Sequence, residues 1–382
     1  MSSQCILYLL PSLTTGGAEY QSVNQLNCLY EEGIDVHLVV LSDEVTLLPL
    51  LALPADRVHI FGISGLRKIV MSTVPNIPKG MIKLQRLITR LSPDVVLAIL
   101  PLSHLLARLV APVTPKHRLW IYHRSMQYEA NPLDSNGKRV VQYITRRLSD
   151  RYDYGHLYIS EAVKDNVSSH LPFQRHAVLH NAVPMNEVDA SVARRDAESR
   201  GIKDWDYLIV IPGRIHPSKG QEFFISSIAE MLKEFTHRIY VVMVGGGLHS
   251  EQINLLIRRY QLESQVYITG MVDNKILLSY LKLSDLTVIP SINEGFGNVA
   301  VEGLMQGATM LASDAGGLKE IIKDGLNGFL FRRLDKDHLR EKLQAIITRN
   351  QKIPAAKLHS EYLEKFTTEA QVHRLLKILG VT

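Results

Sequence analysis

The stretch that decides the fold is DLTVIPSINEGFGNVAVEGLMQ, residues 285–306. It begins with an apolar run that predicts a buried parallel strand, and it ends with a segment that predicts a helix. Between them lies a turn that contains Gly295 and Gly297. Glycines have no Cβ atom and let backbone amides approach a ligand, and the free N–H groups at a helix start attract phosphate. The stretch therefore predicts a strand, an anion-binding turn and a helix.

Two glutamates flank this turn. Glu294 lies within it, and Glu302 lies in the opening turns of the helix, where one helix face is still directed toward the turn. A carboxylate in such a place can accept two hydrogen bonds from a vicinal diol, which is the arrangement that a ribose presents. A glycine-rich turn with two acids is also common in ordinary α/β proteins.

The spacing resembles the signature of the retaining glycosyltransferases of family four. The match comprises EGFG at 294–297 with Glu302, and the downstream segments DAGGLKE at 314–320 and DGLNG at 324–328 are similar to the continuation of that family's pattern. Three linked motifs argue against a chance match. The resemblance implies the GT-B fold, in which two Rossmann-like, doubly wound parallel-sheet domains face a cleft.

Length and composition fit two globular domains. The 382 residues exceed one ordinary core and suit two domains of roughly 180 residues each. The 46% hydrophobic and 21% charged residues are typical of a soluble protein. The chain has no run of about 18 apolar residues, and its N-terminus lacks the basic region and cleavage site of a signal peptide. We therefore expect a cytoplasmic protein.

The predicted domains are an acceptor-side domain over residues 1–185 and a nucleotide-sugar-binding domain over 186–359. The boundary lies in the polar segment 185–206, which has no strand-like alternation. The resemblance implies that a final helical segment, 360–382, crosses back to the first domain. Cys5 and Cys28 lie in apolar surroundings, which predicts buried thiols and neither a disulfide nor a metal-binding pair.

Two cations follow the first strand of the second domain. Arg214 and Lys219 lie in PGRIHPSKG, residues 212–220, and we expect them at the same carboxyl edge of the sheet as Glu294. Arginine offers a bidentate fork and lysine a point charge, so the pair suits a diphosphate. Either residue alone would more simply be a solvated surface cation. The run also resembles an element of the same family.

Two positions in the first domain belong to the predicted site. Gly17 follows the first strand and is part of a Gly-Gly-acid loop, which in the family abuts the donor phosphates and the acceptor; a plain tight turn is the alternative. His123 ends the strand at 119–122. The resemblance implies that it contacts the donor hexose, although a lone histidine after a strand is more often structural.

The resemblance implies a role for each site residue. The predicted catalytic residues are Glu294, Arg214, Lys219 and His123. The predicted donor-binding residues are Glu302 for the ribose, Gly17, the amides of Phe296, Gly297 and Asn298 for the diphosphate, and Val272 after the strand at 266–269. We expect no cofactor and no divalent metal. We assign no general base, because in this class the leaving diphosphate is thought to take the acceptor proton.

The first half of the chain is basic. Residues 57–118 contain ten lysines and arginines and one acid. Segment 66–91 mixes these cations with apolar residues, a pattern typical of a surface that lies on an anionic membrane. A solvated helix with its apolar stripe in the core is the alternative. Nucleic acid is excluded as a partner, because the segment lacks stacking aromatics and no nucleic-acid motif is present.

The sequence thus predicts a retaining glycosyltransferase that uses a nucleotide-diphospho-sugar, with UDP favoured over GDP. It would move a hexose or N-acetylhexosamine to a hydroxyl of a lipid-linked glycan at the inner face of the cytoplasmic membrane, in cell-surface polysaccharide or lipopolysaccharide synthesis. Two alternatives remain open. One is a GT-B epimerase or hydrolase of the nucleotide sugar, and the other is a catalytically silent, donor-binding scaffold subunit.

Overall fold

The computed structural model describes residues 4–66, 75–126, 136–186, 188–204, 206–234 and 239–381. The chain forms two compact units. One comprises Met1–Ala182 with Thr368–Thr382, and the other comprises Val183–Thr367. The chain therefore passes from the first unit to the second three residues before the boundary that the sequence predicts. It returns to the first unit between its last two helices.

The first unit contains a seven-stranded parallel sheet in the order β3-β2-β1-β4-β5-β6-β7. Its strands are β1 (Cys5–Leu10), β2 (Asp35–Val40), β3 (Val58–Ile60), β4 (Val95–Ile99), β5 (Arg118–His123), β6 (Gly155–Tyr158) and β7 (His176–Val178). Its described α-helices are Gly17–Glu31, Ile77–Leu91, Pro101–Val110, Asn136–Tyr152, Glu161–Ser168 and Thr368–Leu379.

The second unit contains a six-stranded parallel sheet in the order β10-β9-β8-β11-β12-β13. Its strands are β8 (Tyr207–Pro212), β9 (Ile239–Val244), β10 (Val266–Ile268), β11 (Leu286–Ile289), β12 (Met310–Ser313) and β13 (Phe329–Phe331). Its described α-helices are Ser191–Ser199, Gln221–Glu234, Ser250–Arg259, Asn274–Leu283, Asn298–Gln306, Leu318–Ile321, Lys336–Thr348 and Ala355–Lys365. The predicted doubly wound α/β class is confirmed.

The strands are continuous apolar runs because both faces of each sheet are covered. In β1 and in β9 every residue is buried. Successive residues of a strand face opposite sides, so an uninterrupted buried run requires helices on both sides of the sheet. This is the physical reason why apolar runs without alternation predicted parallel strands.

Each sheet reverses its strand order at one point, and an aspartate anchors the two strands there. In the first sheet the Oδ2 atom of Asp94 accepts a 2.8 Å hydrogen bond from the backbone N–H of Cys5. In the second sheet the Oδ2 atom of Asp285 accepts a 2.9 Å bond from the N–H of Leu208. These bonds hold β1 beside β4 and β8 beside β11, so each sheet has a crevice at the carboxyl ends of that strand pair.

The basic helix Ile77–Leu91 buries its apolar stripe in the core of the first unit. Leu84, Leu87 and Ile88 are buried in a cluster with residues of β1 and β4, whereas Ile82 is 49% exposed. The apolar residues at 69–71 lie outside the described part of the chain. The alternative reading of this segment therefore holds for the described helix, because its apolar stripe contacts the sheet.

The exposed cations of this helix are Lys79, Arg86 and Arg90. Arg108, one of the ten lysines and arginines counted in residues 57–118, is instead buried and paired with Asp153 at 2.7 Å. Among the described residues, no helix combines the length and the hydropathy that crossing a bilayer requires.

Candidate functional site

Two loops meet at the switch point of the second sheet. One follows β8 over residues 213–220, and the other follows β11 over residues 290–297. The backbone N–H groups of Ile292 and Asn293 both donate to the carbonyl oxygen of Ser218, at 2.8 and 3.1 Å. The two loops are therefore joined at the place where open parallel sheets bind their ligands.

Lys219 and Glu294 form an ion pair across these loops. The Nζ atom of Lys219 lies 2.7 Å from the Oε2 atom of Glu294, which also accepts a 3.1 Å hydrogen bond from the hydroxyl of Ser291. The Glu294 side chain is 13% exposed. A lysine ammonium has three donors, so two remain available for an anion. The structure thus brings together the predicted phosphate-binding lysine and the predicted sugar-binding glutamate.

The segment Asp314–Gly317 packs directly against the turn that contains Glu294. The N–H of Gly317 donates to the Glu294 carbonyl oxygen at 3.1 Å. Gly316 has a φ of +49°, and a Cβ atom there would lie 1.8 Å from the same carbonyl oxygen. The glycines of this second motif are therefore required by close backbone contact, and this explains why the two motifs occur together.

Arg214 combines a fixed backbone with an unpaired side chain. The loop is held by hydrogen bonds from the N–H of Gly213 to the carbonyl of Val244, and from the N–H of Ile215 to the carbonyl of Gly246, at 2.9 and 3.0 Å. The exposed guanidinium makes no hydrogen bond or ion pair with any described residue. It is a free cation on the loop that also positions Lys219.

Glu302 is a half-buried carboxyl group that makes no hydrogen bond or ion pair within the described part of the chain. Burial raises its pKa to about 7. A carboxylate in a poorly solvated place without partners is costly, and hydrogen bonds from a ligand would favour the charged form. The site therefore contains an acid whose charge depends on what binds beside it.

The remaining predicted residues of the second unit have distinct surroundings. The Phe296 side chain is 2% exposed and packs near Phe366, so only its backbone is available to a ligand. Gly297 has a φ of +105° and immediately precedes the helix that Asn298 begins. Val272 is half-buried in the loop after β10, two strands away from β8.

In the first unit, Gly17 begins a helix at the switch point between β1 and β4. A Cβ atom on Gly17 would meet no heavy atom within 4 Å. The neighbouring Glu19 is buried, and its Oε1 atom accepts hydrogen bonds from the hydroxyls of Ser12 and Thr14, both at 3.4 Å. Glu19 therefore holds the loop while the space beside Gly17 stays open.

His123 lies at the carboxyl end of β5, next to a series of buried polar groups. Its Nε2 atom is 3.3 Å from the Nδ1 atom of His156, whose Nε2 atom is 2.8 Å from Asp153. Its ring also stacks on Tyr158. The sequence analysis missed this series of polar groups. No spacing signal could have found it, because it depends on the pairing of β5 with β6.

The charges among these buried polar groups are compensated. Arg108 donates two hydrogen bonds to the carboxylate of Asp153, at 2.7 and 2.9 Å. Burial alone would raise the pKa of Asp153, but the Arg108 charge and the His156 bond outweigh burial and lower it. Burial lowers the pKa of His156 and takes that of His104 to about 3. Both imidazoles are therefore neutral at pH 7.

Arg124 is a buried cation to which the sequence analysis gave no role. Its guanidinium lies 4.1 Å from the ring centre of Tyr122, and it donates to the side-chain oxygens of Gln25 and Asn181, at 2.8 and 3.3 Å. Arg124 directly follows His123 in the sequence, and these neutral partners hold its guanidinium in place.

Two protein-family models match the chain. The model of glycosyl transferases group 1 matches residues 192–366, and the model of Glycosyltransferase Family 4 matches residues 15–187. Each half of the chain is therefore similar to a glycosyltransferase family.

Curated relatives match part of the chain. An uncharacterized glycosyltransferase of Methanocaldococcus jannaschii is 30% identical over 201 residues, which cover 51% of this chain and 50% of that protein. A D-inositol 3-phosphate glycosyltransferase of Streptomyces scabiei is 31% identical over 168 residues, which cover 42% and 38%. The chain thus spans about half the length, or less, of the curated relatives it matches.

Solved structures match the fold over nearly the full length. The Anabaena protein HepE in complex with UDP superposes with a TM-score of 0.81 at 19% identity, and covers 99% of this chain and 100% of its own. The lipopolysaccharide outer core galactosyltransferase WaaB superposes with a TM-score of 0.75 at 16% identity over 99% of both chains. With the two parallel sheets, these likenesses confirm the predicted GT-B fold.

The contact of Gly316 with Glu294 gives a stability prediction. Gly316→Ala should destabilise the protein by about 2–5 kcal/mol, because it adds a clash with backbone to the cost of a positive φ. Gly325→Ala is the matched control, with a φ of +73° and no heavy atom within 4 Å of the new Cβ. It should cost only about 1–2 kcal/mol. Urea unfolding of the two variants compares them, and equal losses would contradict the close contact.

Proposed function

We propose that this chain is a retaining glycosyltransferase that moves a sugar from a nucleotide-diphospho-sugar to an acceptor hydroxyl. The observation that supports this most directly is the Lys219–Glu294 ion pair at the switch point of the second sheet, on the loop that also presents Arg214. It places two cations and a carboxylate where a parallel sheet binds its ligand. The likeness to glycosyltransferase families over both halves supports the same activity.

The proposed chemistry depends on charge stabilisation. The anomeric C–O bond to the diphosphate breaks, a C–O bond to the acceptor forms on the same face, and the acceptor proton passes to an oxygen of the leaving diphosphate. Arg214, Lys219 and the amides that begin the helix Asn298–Gln306 would stabilise the charge on the leaving group. Each well-placed donor is worth on the order of 3 kcal/mol. We propose that these groups take the place of a divalent metal.

The donor would be bound through its ribose and through the sugar that is transferred. Glu302 would accept hydrogen bonds from the ribose hydroxyls, and Glu294, held by Lys219, would accept them from the sugar. His123 is proposed to contact the hexose and Gly17 to lie beside the phosphates. We propose UDP as the nucleotide, since structures of the similar HepE protein contain UDP and UDP-glucose.

The proposed acceptor is a lipid-linked glycan in cell-surface polysaccharide synthesis. The similar fold of WaaB, named as a lipopolysaccharide outer core galactosyltransferase, supports this acceptor class. The burial of the apolar stripe of the helix Ile77–Leu91 changes the proposed mode of membrane attachment. Attachment would depend on the charge of Lys79, Arg86 and Arg90, because the apolar face of that helix contacts the core.

The pKa of Glu302 makes donor binding dependent on pH. Only the ionised carboxylate accepts both ribose hydrogen bonds, so UDP-glucose should bind about tenfold more weakly at pH 6 than at pH 8. Glu302→Gln should remove this dependence and weaken binding by about 1.5–3 kcal/mol. Metal-free thermal-shift titrations at both pH values measure this. No shift with UDP-glucose in the wild type would refute a UDP-sugar donor, whereas a wild-type pH profile in the variant would remove only the role of Glu302.

Arg214→Ala tests the stabilisation of the leaving group. It should slow the release of UDP from UDP-glucose about 100-fold, with water as the acceptor in the absence of a known glycan. Arg259→Ala, on the exposed face of the helix Ser250–Arg259, removes a cation remote from the loops and should leave the rate unchanged. If both variants lose the same activity, the effect is one of net charge. Faster release with added glycan lipids would separate a transferase from a hydrolase or an epimerase.

Electrostatic attachment predicts sensitivity to salt. The chain should float with vesicles that contain anionic lipid at low salt and dissociate at high salt. Changing Lys79, Arg86 and Arg90 to Glu should abolish flotation. The same change at Arg259, Lys275 and Lys336 in the second unit is the matched control and should retain binding. Binding that survives high salt, or is lost equally in both variants, would contradict attachment through this helix.

A further inference from the structure

One cluster of metal-ligating side chains lies outside the proposed donor site. It is at the amino end of the first sheet, whereas Gly17 and His123 follow the carboxyl ends of β1 and β5. The parallel register places Cys5 opposite Asp35 and Leu7 opposite His37. Alternate residues of a strand share a face, so Cys5, Asp35 and His37 lie on one face of the sheet.

Their ligand atoms are close together. The Sγ atom of Cys5, a carboxylate oxygen of Asp35 and a ring nitrogen of His37 all lie within 4.8 Å of one another. The Asp35 oxygen and the His37 Nε2 atom are 3.6 Å apart. Tetrahedral zinc with ordinary Zn–S, Zn–N and Zn–O bonds holds its ligand atoms about 3.3–3.6 Å apart. The nitrogen–oxygen pair already has this separation, whereas the sulfur is only known to lie within 4.8 Å of both atoms.

His37 has a second contact that orients its ring. Its Nδ1 atom lies 3.2 Å from the Nε2 atom of His59, which β3 brings to the same face because His59 is paired with Val39. If Nδ1 of His37 donates this hydrogen bond, its Nε2 atom is unprotonated and lies 3.6 Å from the Oδ1 atom of Asp35. Two acceptor atoms then lie 3.6 Å apart, and a cation between them would bind both; the Asp35 oxygen also accepts a 2.9 Å hydrogen bond from Arg57.

The opposite tautomer leaves the same atom unsatisfied. If His59 donates, the protonated Nε2 atom of His37 lies 3.6 Å from the nearest Asp35 oxygen, which is too distant for a hydrogen bond. Within the described residues, this Nε2 atom has no other partner. Metal-bound histidines usually donate their other ring N–H to a neighbouring acceptor, and that is the arrangement of the first tautomer.

We propose that Cys5, Asp35 and His37 bind a zinc ion at the amino edge of the first sheet, with His59 as the hydrogen-bonding partner of His37. A thiolate, an imidazole and a carboxylate are the ligand types that zinc prefers. The ionised thiol supplies one negative charge to the ion, and the carboxylate, which also pairs with Arg57 at 2.9 Å, supplies a second. A fourth position remains for water. The ion would link β1 to β2 and, through His59, to β3.

Neighbouring charges set the pH dependence of this site. The charged groups that act on the cluster are Arg57, which pairs with Asp35 at 2.9 Å, and Asp56, Arg90 and Asp94. An ordinary thiol is mostly protonated at pH 7, and only the thiolate binds zinc.

Zinc binding would consequently release one proton. The S–H bond of Cys5 breaks, a Zn–S bond forms, and the proton passes to the buffer. Affinity should therefore rise about tenfold for each unit of pH near neutrality. Isothermal titration calorimetry in two buffers of different ionisation enthalpy counts the proton. A value of zero would overturn thiolate ligation.

Cobalt provides the direct test, because a thiolate–cobalt bond has a charge-transfer absorption. The full chain is treated with a chelator, dialysed and titrated with Co²⁺. The band should appear in the wild type and in Cys28→Ser, the matched control at the other buried thiol, and should be absent in Cys5→Ser. Zinc should displace the cobalt and raise the melting temperature. No band in the wild type, or a band that remains in Cys5→Ser, would overturn the site.

Histidine variants separate a ligand from its partner. His37→Gln should lower the zinc affinity more than 100-fold, whereas His59→Gln should lower it about 10- to 100-fold. Both variants keep Cys5, so they remain informative if Cys5→Ser fails to fold. Wild-type affinity in His37→Gln would overturn the assignment of His37 as a ligand.

Discussion

The candidate site depends on the pairing of β8 with β11. These strands are neighbours in the second sheet although a whole βαβ segment separates them in the chain, and the strand order reverses between them. Their following loops therefore lie side by side, and the backbone bonds from Ile292 and Asn293 to Ser218 join them. Without this adjacency, Lys219 and Glu294 would be an isolated cation and an isolated acid. With it they form a preorganised pair, which is the condition under which electrostatic stabilisation is effective.

Buried charged groups that are paired within the protein have structural roles, whereas charged groups without a protein partner are candidates for ligand binding. In the first unit, Arg108, Asp153 and His156 satisfy one another, as buried charges must. In the second unit, Arg214 and Glu302 have no partner among the described residues. The exposed Arg214 is solvated by water, whereas the poorly solvated carboxylate of Glu302 is costly unless a ligand supplies the missing contacts. The proposed donor, with an anionic diphosphate and a ribose diol, supplies partners for both. The proposed zinc ion would do the same for His37.

Much of the fold was predictable, and the residues of the proposed donor site could be named, because the signals are local. Apolar runs indicated buried parallel strands, and the turn at 290–297 indicated a helix that binds an anion at its start. The basic segment was harder to interpret. Its composition suits a membrane surface and a core helix equally well, and only the contacts of Leu84 and Ile88 with the sheet distinguish the two. The burial of Arg108 could not be predicted either, since its partner Asp153 is distant in the chain.

The amino-acid sequence by itself determined the order of strands and helices, the positions of the glycine turns and the chemical types of the site residues, because these depend on neighbours along the chain. The tertiary structure decided which of those residues meet. Lys219 meets Glu294 through the strand order of the second sheet. His123 meets His156, and Cys5 meets Asp35, through the register of the first sheet. Strand order and register arise from burial on both faces of a sheet, and no local sequence pattern predicts them.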